Sequence, residues 1–528
     1  MKRIIIFCTY VLYYINAGAQ HTYYVDTYNG NNLYTGSDLT PFKTIQKAAD
    51  IVNAGDTVII RDGVYALDTT ELLNKLSSVI AYFEKSGTPS NWIVFKAEHK
   101  GKAIIDGENF TVSYGFGLDS GIKYIEFQGF EFKNIIYTAI DVSKVSNIRI
   151  IENDFHDIGR VCTSSHFGHC GIYGYVGDSI FIEKNVFHNI GRLGLGENGC
   201  DNDTNNSSHD HAIYIDGGAN WHIKNNIFYD IKHGWGVHIY SGWNKRPTDI
   251  LVANNTFFDA NPKRDGQVLI GQPGAYNVLI ANNIFYQPNN YGIIVDETDS
   301  NLLYENVNFF NNMTFPATGS GDITNMLTKG INISDNIINV DPILEKPFDY
   351  DARLLVSSPA IDAGMDLTSI DVNDDYIGKK RPLGGGFDIG AYEFMGNMLP
   401  IYLLSFDATV LKKQIKITWA TVSKKNHSTF DIEKSINGKD FICIGKKIEE
   451  NNHSIEKLEY SFIDQMPVDG VNFYRLKQTD PNGSIEYSYV INARYQNEND
   501  NANITAIYPN TIKINYKKNR GEAFFYNA

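Results

Sequence analysis

A short pattern recurs between about residues 120 and 300: an apolar strand, then Asn, any residue, then Phe. It reads Ile148-Arg-Ile-Ile-Glu-Asn153-Asp-Phe155 and Ile180-Phe-Ile-Glu-Lys-Asn185-Val-Phe187. It returns as His222-Ile-Lys-Asn-Asn226-Ile-Phe228, Leu251-Val-Ala-Asn-Asn255-Thr-Phe257 and Val278-Leu-Ile-Ala-Asn-Asn283-Ile-Phe285. The asparagines stand 32, 41, 29 and 28 residues apart, which fits coils of one length carrying insertions on one side. Strands this short bury no face alone, so each coil must stack on its neighbours. The Asn sits at the corner after a strand, where its amide can bond backbone groups and the next Asn in a ladder. The Phe two positions later turns inward.

A second strand set lies between the corners: Gly171-Ile-Tyr-Gly-Tyr175, Ala212-Ile-Tyr-Ile-Asp216, Gly236-Val-His-Ile-Tyr240, Gln267-Val-Leu-Ile270 and Tyr291-Gly-Ile-Ile-Val295. The fold expected is all-β: a single-chain right-handed parallel β-helix over residues 21–395. The ends of this region carry a family resemblance. Tyr23-Tyr-Val-Asp26, the Gly30 to Gly36 loop and Pro41-Phe-Lys-Thr-Ile-Gln-Lys-Ala-Ala49 resemble the opening of bacterial right-handed β-helix proteins, pectate-lyase-like polysaccharide lyases among them. That resemblance implies a strand followed by an amphipathic capping helix, and Thr44 to Val52 has apolar residues at helical spacing. Ser358-Pro-Ala-Ile-Asp-Ala-Gly364 and Asp388-Ile-Gly-Ala-Tyr-Glu393 resemble the family's closing segment. The resemblance is specific for the fold and weak for the activity, because one β-helix carries many chemistries.

Lys2, Arg3, the apolar run Ile4 to Ile15 and Ala17-Gly-Ala19 form a signal-peptide pattern over residues 1–20, so an exported, extracellular protein is expected. No later stretch is apolar and long enough to span a bilayer. A net charge of -15 argues against nucleic acid as a partner. Cys162, Cys170 and Cys200 lie in one region, where a single bridge is expected with its pairing open. Residues 399–495 alternate like β-sandwich strands and resemble a fibronectin-like module of secreted Bacteroidetes-type proteins. Residues 496–528 read as a linker and a partial sorting tail. There Ile504-Thr-Ala-Ile-Tyr-Pro-Asn510 resembles the start of a type IX secretion sorting domain, with Thr511 where that pattern has proline. The resemblance implies attachment to the cell surface.

Eight of the histidines fall between residues 160 and 246. Aligning the strands stacks Tyr173, Tyr214 and His238 in one column. Period-2 alternation turns that column outward, with Tyr175, Asp216 and Tyr240 as the next row. Aromatic faces with polar rims suit sugar rings, so a polysaccharide is the expected ligand. Trp235, Trp243, Lys245 and Arg246 are expected to wall the groove.

The lead expectation is a lyase cleaving a uronate glycan by β-elimination, which needs a carboxylate neutraliser, a base and an acid. His211 or His238 is the candidate base, Tyr214 the acid or combined acid and base, and Arg192, Lys232 or Arg246 the neutraliser. An epimerase would begin with the same proton removal. A glycoside hydrolase would need two facing carboxylates, Asp216 with Asp210 or Asp296. A non-catalytic glycan-binding adhesin is the third reading. Asp201-Asn-Asp203 has the alternating oxygens calcium favours but lacks the Gly and Glu of an EF-hand loop, so a polar turn is the simpler reading and calcium the alternative; His209 and His211 offer two zinc ligands with no third at hand. Asp371 to Asp375 is a similar weak match, more simply a polar turn.

Overall fold

The computed structural model describes the chain except residues 1–19, 69–77, 165–167, 202–208, 232, 243–244, 260–265, 297–302, 317–321, 326–329, 395–401, 423–428, 449–456, 480–484, 489, 496–501, 508–510, 517–520 and 527–528. The signal-peptide segment therefore lies outside the described residues. So do Lys232, Trp243 and Asp203. Side chains beyond residue 501 are also undescribed, so the sorting-tail reading rests on sequence alone.

The chain divides into two compact units, residues 1–394 and 395–528. The first is a right-handed parallel β-helix with three faces, of eleven, nine and nine strands. One coil runs Asp178–Glu183, Val186–Ile190 and His211–Asp216 before Ala219–Lys224 begins the next. The insertions all fall where a face changes, as the unequal repeat spacing requires.

The asparagine ladder is continuous and longer than the sequence pattern suggested. Asn153, Asn185, Asn226, Asn255, Asn283, Asn312 and Asn336 follow one another up the corner. From Asn185 on, each accepts at Oδ1 both the backbone and the side-chain amide of the Asn one coil before, as at Asn226 and Asn255 (2.8 and 3.0 Å), while Asn153 accepts the Phe130 backbone amide. The residue before each rung turns the corner at positive φ, for example Lys184 (59°) and Asn225 (57°). Inside, Phe132, Phe155, Phe187, Phe228, Phe257 and Phe285 stack in one column with centroids 4.5–5.2 Å apart. Gly171, Gly236 and Gly292 face this column. A Cβ there would lie 2.6–3.0 Å from a Phe ring, so only the smallest residues fit.

The ends are closed by polar contacts. Helix Ile45–Ile51, capped by Thr44, buries Ile45, Ala48 and Ala49. Its Gln46 bonds both the amide and the carbonyl of Tyr82 (2.7 and 3.0 Å) on the edge strand Val79–Phe83, which pairs one of that edge's open positions. At the other side, residues 341–394 strap along the helix. The amides of Asn225, Asn254, Asn282 and Asn311 donate to the carbonyls of Asp374, Asp388, Met365 and Ala363. Asp375 ties this strap together by accepting the backbone amides of Ile377, Lys379 and Glu393. Within the Asp371 to Asp375 stretch, Asp371 closes the short turn Thr368–Ile370, and Asp374 bridges to Lys380 and accepts from Lys184 (2.7 Å).

The second unit holds two antiparallel sheets around a core of Phe406, Trp419, Ile432, Tyr474 and Leu476. A three-stranded antiparallel sheet, Ala502–Ile507, Thr511–Tyr516 and Gly521–Tyr526, follows.

Candidate functional site

A cleft of about 790 Å³ lies on the nine-stranded face that carries the second strand set. Its register is Asp141, Tyr173, Tyr214 and His238 side by side, followed by Leu269. The row two residues on runs Tyr175, Asp216 and Tyr240. Tyr173 and Tyr214 lie 5.4 Å apart, and Tyr214 stacks on His238 at 4.8 Å and 11°. Tyr114, Tyr137 and Trp235 extend the aromatic lining, and Asp141, Asp296, His209 and His211 supply its polar groups.

His211 shares this face for a reason that simple alternation misses. Ala212 and Ile213 both point into the core, fully buried, so the strand turns a corner there and His211 emerges on the same side as Tyr214. Cys170 one coil below does the same.

His211 is nearly inaccessible, and both its nitrogens are engaged. Nδ1 accepts the Trp235 backbone amide (3.2 Å), and Nε2 meets His238 Nδ1 (2.9 Å). Burial, then the neighbouring His238, holds its pKa well below the ordinary value. A direct base role for His211 therefore fails: it has no free lone pair to offer. Burial also pushes His238 down to about 3, so it is neutral near pH 7. With Nδ1 turned to His211, its Nε2 has no partner among the described residues.

The two tyrosines differ. The Tyr173 hydroxyl donates to Asp216 Oδ2 (3.0 Å), while Asp216 Oδ1 is buried with no hydrogen-bond partner. Burial and then Asp216 raise the pKa of both Tyr173 and Tyr214, so both stay protonated at ordinary pH. Asp141 is raised by burial, against the lowering bonds from Ser143. Sequence reasoning missed this residue, although Thr138-Ala-Ile-Asp141 aligns with Cys170-Gly-Ile-Tyr173 and so carries the signal that places it in the column. Asp216 and Asp141 are two strands and two residues apart, roughly 12 Å between Cα atoms from strand spacing.

Of the expected cations, Arg192, Lys245 and Arg246 are not in the cleft. Arg192 is fully buried and bound to Asp210 through Nε and NH2, each at 2.8 Å. It braces the strand start and does not reach a ligand. The same pair removes Asp210 as a hydrolase carboxylate. Arg246 turns to the neighbouring face, bonding the Ala275 carbonyl and Glu305 over the Tyr276 ring. Lys245 is exposed and outside the lining. Among the described lining residues there is no Lys or Arg. Asp296 lies three strands from Asp216, roughly 14 Å away by strand spacing.

One disulfide joins Cys162 to Cys200, leaving Cys170 free and buried. It ties together the two insertions that deliver Gly168 and His209 to the cleft. Asp201, beside it, is exposed, and its proposed partner Asp203 is outside the described residues. Away from the cleft, Asp154, His156 and His188 bring three potential ligands together. Both nitrogens of His156 already face carboxylates there, Asp157 and Glu131 (2.6 and 3.2 Å). No helix among the described residues is long and apolar enough to cross a membrane.

By its coils, ladder and cleft, the first unit is a right-handed parallel β-helix of the kind that presents one face of stacked strands as a groove. The family model described as "Pel9A-like, right handed beta helix region" matches residues 23–201, and "Right handed beta helix region" matches 140–306 and 211–341. Among solved structures, the chain is similar to pectate lyase Pel9A, at 17% identity over 71% of this chain and 97% of that one, TM-score 0.42. It is also similar to the GH136 lacto-N-biosidase from Eubacterium ramulus, at 11% identity over 61% of this chain and 68% of that one, TM-score 0.41. A rhamnogalacturonan lyase matches at 15% identity over 60% and 87%, TM-score 0.35. No curated protein matches the sequence. These likenesses are likenesses of fold.

Proposed function

We propose that the protein is an extracellular polysaccharide-cleaving enzyme that holds a glycan strand across the Tyr173, Tyr214 and His238 column. The observation that carries this reading is the pairing, in one aromatic cleft, of a hydrogen-bonded acceptor pair and adjacent neutral donors. Tyr173 leans its proton on Asp216, and Tyr214 and His238 stand beside it. The signal-peptide pattern of residues 1–20 and the Cys162–Cys200 bridge support a place outside the cell.

The preferred chemistry is β-elimination on a uronate glycan. Tyr173 takes the proton next to the carboxylate as its own proton passes to Asp216, the glycosidic C–O bond breaks, and Tyr214 protonates the leaving oxygen. No described lining residue is a cation, so the sequence candidate for neutralising the carboxylate in this reading is Lys232, which lies outside the described residues. Hydrolysis of a neutral glycan is the second reading. It is favoured by a cleft whose described lining carries no Lys or Arg, and opposed by the spacing of Asp141, Asp216 and Asp296, which stand farther apart than the roughly 5–9.5 Å of a hydrolase pair.

Incubation with a panel of uronic and neutral polysaccharides separates these chemistries. Growth of absorbance from an unsaturated product is expected on a uronate glycan. Reducing ends without absorbance would replace elimination by hydrolysis. Neither signal, on glycans the protein retains in an affinity gel, would make it a binding protein.

A further inference from the structure

We infer that His238 meets its ligand as an N–H donor, held in that tautomer by the Trp235 backbone amide acting through His211. A backbone N–H only donates, so at 3.2 Å it requires a lone pair on His211 Nδ1. The proton of neutral His211 then sits on Nε2, which lies 2.9 Å from His238 Nδ1 and donates to it. His238 Nδ1 is thereby an acceptor, and its proton must sit on Nε2. That atom is buried and has no partner among the described residues, while the His238 ring lines the cleft. The opposite polarity would set two N–H groups against each other at Trp235 and His211.

The surroundings keep the chain neutral. The carboxylate nearest in sequence, Asp210, is spent on Arg192 and on the His169 amide, and the remaining close charges, His209 and Arg192, oppose protonation. Gly234 makes the contact with Trp235 possible. A Cβ there would fall 1.8 Å from the Asp210 carbonyl and 2.5 Å from His211 Nδ1. His211 is thus a positioning residue, and its role explains why a histidine with both nitrogens engaged stands in the lining.

The consequence is a rule for the ligand group that meets His238: an oxygen with a free lone pair, whether hydroxyl, glycosidic or carboxylate, and not an ammonium or amide N–H. Only the identification of that oxygen as a sugar oxygen rests on the glycan-cleaving reading. The tautomer stands on the three contacts.

Long-range proton–nitrogen correlation of the imidazoles in the full-length protein at pH 7 tests this without any substrate. His238 is assigned by the signal missing in His238→Gln. The expected spectrum shows its proton on Nε2 and an unprotonated Nδ1. A proton on Nδ1, or an imidazolium, would overturn the inference. In His211→Leu the His238 signals are expected to move towards a mixture of tautomers, while His211→Gln, whose amide can still donate, keeps the Nε2–H form. An unchanged tautomer in folded His211→Leu would remove His211 from the relay. Were that variant not to fold, the wild-type spectrum alone still decides the tautomer. Loss of glycan cleavage with the tautomer intact would count against the enzyme reading and leave this one standing.

Discussion

Arg192 and Asp210 meet through two parallel bonds of 2.8 Å, with both side chains sealed from solvent beneath the start of strand His211–Asp216. Asp210 also accepts the backbone amides of Arg192 and His169. The pair therefore fixes three chain segments that lead into the cleft. Removing one partner strands a buried charge, which costs about 3–5 kcal/mol. Arg192→Met is expected to lose that much in urea unfolding. Arg192→Met with Asp210→Asn, which removes the stranded charge but keeps an acceptor, is expected to lose less than the single variant. Equal losses would contradict this account.

The asparagine ladder predicts a gradient. Asn226 lies in its middle, fully buried, and Asn226→Ala would leave the Asn185 backbone and side-chain amides without their acceptor. Two buried unpaired groups cost about 3 kcal/mol or more. Asn336, the last rung, is half-buried, and its replacement by Ala is expected to cost about 1 kcal/mol. Equal losses at both positions, measured by unfolding midpoints, would mean the ladder is decoration and not support.

Much of this fold was legible because its signals are local and repeated. Strand, corner Asn and inward Phe each recur with the chemistry that makes them necessary, so the stack and the column of Tyr173, Tyr214 and His238 followed from alignment alone. What escaped was set by single three-dimensional events. The corner at Ala212 and Ile213 brings His211 to the cleft against its parity. Arg192 reads as a free cation until its partner 18 residues on is seen to bury it. Asp141 lay in the right column, but nothing in its neighbours announced that burial would raise its pKa.

Acid weakens the protein through the histidine pair. The folded pKa of His238, about 3, lies below the unfolded value near 6.5, so between those limits the unfolded chain binds a proton the folded one refuses. Stability from this group is complete above about pH 6.5 and declines as pH falls, at up to about 1.4 kcal/mol per pH unit. His211 is shifted in the same direction. Urea midpoints at pH 7 and pH 5 are expected to differ more for the wild type than for His238→Gln. An equal difference would place the acid sensitivity elsewhere.

The acceptor pair makes a kinetic prediction. Tyr173→Phe and Asp216→Asn are expected to lower kcat about 100-fold or more with smaller changes in KM, the size typical of a lost acid–base group. Tyr175→Phe, one row on, is expected to change kcat little. A fall in affinity alone for Tyr173→Phe would reduce the pair to a sugar platform.

The central claim, that the Tyr173, Tyr214 and His238 column holds a glycan strand, is tested most directly by a crystal structure of Tyr173→Phe soaked with an oligosaccharide the wild type cleaves. Sugar rings packed along Tyr214 and His238, with an oxygen within hydrogen-bond distance of His238 Nε2, are predicted. Sugar bound on another face, with this cleft filled by water alone, would contradict the account.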